Sequence, residues 1–321
     1  MIGSIARGIG QLLEILISHI YQVNNAGVWG NWVLPQNFIY VFNVTYTLYD
    51  NIMPSISEAI SHGRKVLSQY YSAMGYKWGG LISAMLGAIL LAVTDRFILG
   101  ASGPEFVRAA EYSVPLLFWG IIQYPSWVGD NVQLGANKPW LKGALVAMEQ
   151  VLRIVLAFIL MARLQIYALI IAYFIALMTK NIVAYFVNHK LCFPQRFYFW
   201  QSLVAPILAG VVHYAILRWI GGFIWHGDQI SSIFVLTIAI LPSYPLFAFF
   251  YGLFGGWDDA TLEEVRRGAD LSTIMKPFAW LFWKSSAIGA KISPLHNRFP
   301  ITNRQAALEE AISLTHERVN L

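Results

Sequence analysis

The sequence predicts an all-α, polytopic transmembrane helix bundle of about eight spans. Three observations predict it. Of 321 residues, 57% are hydrophobic and only 12% are charged, about half the charged share of a soluble domain. The apolar residues gather into long runs separated by short polar turns. Aromatic residues are abundant, with 12 Trp, 16 Tyr and 20 Phe, as suits rings that sit at headgroup level. The single Cys192 excludes a disulfide framework and a Cys-based metal site. The net charge is +5, and most of the basic residues fall in short loops and the C-terminal region, so they read as a topology signal and not as a nucleic-acid surface.

A span needs about 20 apolar residues. On that measure the spans fall at roughly 3–22, 33–60, 76–99, 108–134, 143–162, 165–187, 200–222 and 230–254. The first is the weakest, because Arg7, Gln11 and Glu14 interrupt it. It also lacks the cleavage site of a signal peptide. The third is the cleanest, with Gly79–Val93 almost uninterrupted Leu, Ile, Ala and Gly. Gly/Asn-rich turns at 24–31 and 221–229, and Asn137-Lys138-Pro139, separate neighbours. Pro35, Pro54, Pro115, Pro125, Pro206, Pro242 and Pro245 fall inside spans and are expected to kink them. Seven Lys and Arg residues lie in one set of loops (Arg64, Lys65, Lys77, Lys138, Lys142, Lys190, Arg196) and four in the other (Arg96, Arg108, Arg163, Arg218). The bias predicts a multi-pass protein with both termini cytoplasmic; the plasma membrane is its expected location.

The composition changes at Trp257, dividing the chain into a transmembrane domain, 1–256, and a cytoplasmic tail, 257–321. The tail holds eight of the 22 basic and eight of the 17 acidic residues. Asp258-Asp259 before Glu263-Glu264 marks a helix start. Pro277–Ile292 has Phe, Trp and Leu beside Lys276, Lys284 and Lys291. It reads as an amphipathic helix on the cytoplasmic leaflet. Thr302–Val319 reads as a final soluble helix.

The polar residues inside the spans carry the functional signal. Gln36, Asn43, Asp50 and Ser57 recur every seven residues, nearly two helical turns, so they share one face. Arg7, Gln11, Glu14 and Ser18 form a second stripe, and Gln123, Ser126, Asp130, Gln133 and Asn137 a third. A charge at the bilayer centre costs roughly 2.5–3.5 kcal/mol. Interhelical hydrogen bonds return only about 0.6 kcal/mol on average. The stripes are therefore expected to face a polar cavity. Glu149 and Arg153, at i and i+4, read as a self-neutralising pair or as a source of an anion-binding Arg153. Lys180 is expected to snorkel to the cytoplasmic interface, Glu58 to bond locally, and His213 to be a core group. Neither a GxxxxGK[ST] loop nor an HExxH motif occurs, no Ser/His/Asp set suggests a triad, and no metal or cofactor is expected.

The stretch Asn51-Ile52-Met53-Pro54-Ser55-Ile56-Ser57-Glu58-Ala59, followed by Gly63-Arg64 and Tyr70-Tyr71, resembles polysaccharide-biosynthesis flippases of the multidrug/oligosaccharidyl-lipid/polysaccharide exporter superfamily. Gly135-Ala136-Asn137-Lys138-Pro139 is similar to their turn between the fourth and fifth helices of a lobe. The resemblance implies a non-enzymatic transporter that flips a lipid-linked oligosaccharide or repeat unit by alternating access. The chain would be the second lobe of such a protein plus two extra helices. A missing N-terminal lobe or a second copy would complete it, and membrane lipids and the lipid-linked sugar would be its other partners. Arg7, Gln11, Glu14, Gln36, Asn43, Asp50, Gln123, Asp130 and Arg153 would line the cavity. Of these, Asp50, Asp130 and Glu14 could take a coupling cation, and Arg7 and Arg153 a lipid phosphate. Two other classes compete. One is a non-transporting scaffold for polysaccharide synthesis, using its tail. The other is a membrane-embedded glycosyl- or phosphotransferase, for which Asp258-Asp259 is the one adjacent carboxylate pair that would suit.

Overall fold

The computed structural model describes residues 2–20, 26–45 and 52–319. Every regular element among them is helical: α1 (Ile2–Ile20), α2 (Ala26–Ile39), α3 (Ile52–Ser61), α4 (Lys65–Ser102), α5 (Val107–Ile121), α6 (Tyr124–Gly135), α7 (Pro139–Leu164), α8 (Ile166–Leu191), α9 (Ala205–Ile224), α10 (Gln229–Ile240), α11 (Ser243–Leu253), α12 (Asp259–Leu271), α13 (Lys276–Ile292) and α14 (Arg304–Val319). A 3₁₀ turn at Tyr40–Phe42 follows α2, and a π-turn at Trp200–Val204 precedes α9.

The turn chemistry is local. Gly63 (φ 71°) joins α3 to α4, and Asn137 (φ 57°) takes the left-handed region that Asn tolerates before Pro139 opens α7. Asp228 caps α10 by accepting from the Ser231 amide at 2.7 Å, and Asp258 caps α12 in the same way through Thr261 at 2.7 Å.

Among the described residues, four helices are long and apolar enough to cross a membrane: α4, α7, α8 and the continuous Trp200–Ile224. The pair α10 and α11 passes the same test as a fifth, bent by 45° at Leu241–Pro242. Helices occupy the other three predicted spans without meeting it. In α1 the polar stripe dilutes the apolar face. The predicted 108–134 span divides at Ile122–Gln123 into α5 and α6, of 15 and 12 residues. The predicted 33–60 span contains residues 46–51, which lie outside the described residues. The prolines take different places in the helices. Pro35 and Pro115 lie inside helices, Pro125 and Pro206 occupy helix starts, and Pro242 sits at the bend.

The chain forms two compact units: residues 1–75, 111–196 and 303–321, and residues 76–110 and 197–302. They do not follow the composition change at Trp257. In the first unit α14 packs its Ala307 and Leu314 against Ala59 and Leu67. Glu310 accepts a hydrogen bond from the Leu67 amide at 2.7 Å, placing a carboxylate at the start of α4. In the second unit α13 packs on α11 around Phe247, Tyr251, Trp257 and Phe282. Lys77 is fully buried there, 2.9 Å from the Thr261 hydroxyl and 4.4 Å from the Trp257 ring centre. The predicted surface helix 277–292 therefore has one face packed on a neighbouring helix. His213 is buried as predicted, 2.9 Å from Ser243.

Candidate functional site: a polar cavity walled by five helical segments

The first unit encloses a cavity of about 280 Å³. Its walls come from four helices and the α5–α6 turn. From α1 come Arg7 and Gln11; from α2 and the turn after it, Gln36 and Asn43. The α5–α6 turn gives Gln123, with Trp119 and Ser126 from the helix ends on either side of it; α7 gives Glu149, Gln150 and Arg153, and α8 gives Tyr173, Leu177 and Lys180. The break at Ile122–Gln123 is what turns Gln123 into the wall. Asn181 braces it by donating to the Ile122 carbonyl at 2.9 Å.

Two ion clusters support the cavity. In the first, Glu14 is 5% exposed and lies behind the wall. The Arg153 Nε stands 2.5 Å from one carboxylate oxygen of Glu14, and the Tyr173 hydroxyl donates to the other at 2.6 Å. The Arg153 guanidinium also lies 4.3 Å from the Tyr173 ring centre, a cation–π contact. Gly10 faces the end of the Gln150 side chain, which would have to shift to admit a Cβ there. In the second cluster, Lys180 is 1% exposed and its Nζ bridges Glu149 at 3.3 Å and Asp130 at 3.5 Å. Asp130 also stands 3.8 Å from Lys142. Below it, Gln133 donates to Asn188 at 3.0 Å and Asn188 to the Gly129 carbonyl at 3.2 Å, pinning α6 to α8.

Of the nine residues picked from sequence, Arg7, Gln11, Gln36, Asn43, Gln123 and Arg153 meet on one wall. Glu14 and Asp130 do not line it; each is the buried counter-ion of a residue that does. Asp50 lies outside the described residues. Two sequence expectations are corrected. Glu149 and Arg153 do not neutralise each other, for each finds its partner on another helix. Lys180 does not snorkel, because two carboxylates within 3.5 Å hold its ammonium inside the unit. Tyr173 and Trp119 went unpicked. Tyr173, Leu177 and Lys180 stand at i, i+4 and i+7, the spacing of a fourth polar-edged stripe.

The cavity offers cations of unequal availability. Lys180 and Arg153 are each matched to buried carboxylates. Arg7 is exposed to the cavity and makes no ion pair among the described residues. An unmatched guanidinium beside Gln11 and Gln36 is suited to hold an anionic oxygen group with amide donors around it.

The tail carboxylates are committed elsewhere. Asp258 accepts from the Thr261 and Ile301 amides, the latter at 2.9 Å, and Asp259 bonds His296 at 2.8 Å and Asn297 at 2.6 Å. Burial alone would raise the Asp258 carboxyl; the nearby Lys77 ammonium and the Thr261 bonds outweigh it and hold it below the usual carboxylate range. Asp259 is held low by its bonds from His296 and Asn297. These ties make the pair a helix cap and a loop clasp. In comparison with known protein families and with curated proteins, no match to this chain was found.

Proposed function

We propose that this chain is a lobe of a membrane flippase that moves a lipid-linked oligosaccharide or polysaccharide repeat unit by alternating access, both termini facing the cytoplasm of a plasma-membrane protein. The observation that carries the reading is the convergence of Arg7, Gln11, Gln36, Asn43, Gln123 and Arg153 on one cavity within an apolar bundle. Buried polar groups of this density in apolar helices are costly, and a wall able to solvate a polar headgroup gives them a use. The lobe would work with a second lobe or a second copy, in the eight-span arrangement expected from sequence. In it, Arg7 takes a phosphate oxygen of the lipid carrier, and the amides take sugar hydroxyls.

The test is Arg7→Gln in the complete assembly. Translocation is followed by the loss of access of a membrane-impermeant sugar oxidant to a polyprenyl-diphosphate oligosaccharide in vesicles. Because Arg7 holds no described ion pair, the substitution should leave expression and thermal stability unchanged. It should slow translocation about tenfold, in line with the roughly 1.5–3 kcal/mol of a charge-assisted bond. Unaltered translocation at normal expression would remove Arg7 from the mechanism.

A further inference from the structure

We propose that the turn between α12 and α13 is an anionic-lipid site, inserted at the headgroup boundary of the leaflet beside it. The inference rests on the membrane reading of the apolar helices and not on transport.

The tip of this helical hairpin is apolar and uncovered. Leu271 and Ile274 are 84% and 85% exposed, and Met275 and Phe278 follow at 64% and 62%. Four large apolar side chains are thus exposed within eight residues of one turn. Burying each of them favours transfer out of water by roughly tenfold or more.

The occupant is chosen by charge. From Leu271 to Leu308 the chain contains no Asp or Glu, while Lys276, Lys284, Lys291, Arg298 and Arg304 fall within it. Lys276, Trp280 and Lys284 recur every four residues and so share one face of α13. The Lys284 ammonium lies 4.7 Å from the Trp280 ring centre. An indole at the boundary with a lysine reaching past it toward phosphates is the arrangement of interfacial helices. A protein partner would need carboxylates to match this stretch, whereas an anionic leaflet supplies the match over its whole surface.

The hairpin is held firmly enough to present the tip. The opposite face of α13 buries Phe282, Ser286 and Gly289, and Gly252 lets α11 approach so closely that a Cβ there would stand 2.5 Å from the Ser286 carbonyl oxygen. The tip is thus continuous with one half of the bent apolar pair α10–α11.

The test uses the full chain with Cys192→Ser and Ile274→Cys, labelled with an environment-sensitive nitrobenzoxadiazole dye. It is reconstituted in phosphatidylcholine vesicles with 30% phosphatidylglycerol, with Met275→Cys as the second labelling position should the first fail to fold. The readouts are emission wavelength, iodide access, and quenching by spin-labelled phosphatidylglycerol against spin-labelled phosphatidylcholine. Each lysine should enrich the anionic lipid about fivefold. The expected result is blue-shifted, iodide-protected emission, quenched several-fold more by the anionic lipid. That preference should be lost in Lys276→Gln/Lys284→Gln. Water-like emission, or equal quenching by the two lipids in the parent chain, would overturn the proposal.

Discussion

Removing the Lys180 ammonium from the cavity wall should destabilise the first unit strongly. Lys180→Met conserves length and apolar bulk but leaves Glu149 and Asp130, each less than 8% exposed, facing one another without their shared cation. At an effective dielectric of about 20, contacts of 3.3 and 3.5 Å are worth roughly 5 kcal/mol apiece before desolvation. Keeping a lysine dry returns several kcal/mol of that. The net loss on breaking a buried pair is about 3–5 kcal/mol. Lys142, 3.8 Å from Asp130 and partly exposed, still compensates one carboxylate, so the lower half of that range is expected. Glu149→Gln added to Lys180→Met removes the second carboxylate and should restore most of the loss, to within about 1 kcal/mol of the parent. The assay is equilibrium unfolding in detergent micelles, followed by thiol-reactive dye access to the single Cys192. A Lys180→Met protein as stable as the parent would refute the bridge. So would a double variant no better than the single one, since the carboxylate left behind is the stated cause.

Gly289→Ala should cost about 1–3 kcal/mol of overpacking, because its Cβ would meet the Phe249 carbonyl and stand 3.0 Å from the Leu253 amide nitrogen. Gly268→Ala, where nothing lies within 4 Å, should instead gain about 0.5–1 kcal/mol; thermal unfolding of the two variants side by side checks both signs. Asp258 is held below its ordinary range in the folded chain, so its contribution is fully present above the unfolded value of about 3.9 and is lost as pH falls through the lower folded value. The unfolding midpoint of the parent should therefore fall steeply below about pH 4. Asp258→Asn should start lower at pH 7 and fall less.

The helix faces were legible in the sequence, because spacings of three, four and seven residues decide which side chains share a side whatever the helix packs against. That is why six residues taken from three separate stripes and from α7 arrive on one wall. The turns were legible for a similar reason. Asn137 before Pro139 and Asp258 before Thr261 act through their own backbone, and both form as read. The start of the last helix shifted only from Thr302 to Arg304.

What the sequence hid is which partner each charge selects, because that depends on contacts between residues far apart in the chain. An i,i+4 pair such as Glu149 and Arg153 is worth only about 0.2–0.5 kcal/mol on an exposed helix. A buried bidentate-capable guanidinium gains more from Glu14, which brings Tyr173 with it, than from its near neighbour. Lys180 follows the same logic. Its stem is long enough to snorkel, but two carboxylates already paid for by burial make the interior site the lower in free energy. Both exchanges move charge away from helices as isolated objects and into the seams between them. The wall then keeps as its exposed cation the one that no carboxylate among the described residues claims. That residue is Arg7, on the weakest of the predicted spans. The weakness of α1 as a membrane span and its fitness to present a charge to a ligand thus have one cause: the stripe that spoils its apolarity is the stripe that forms the wall.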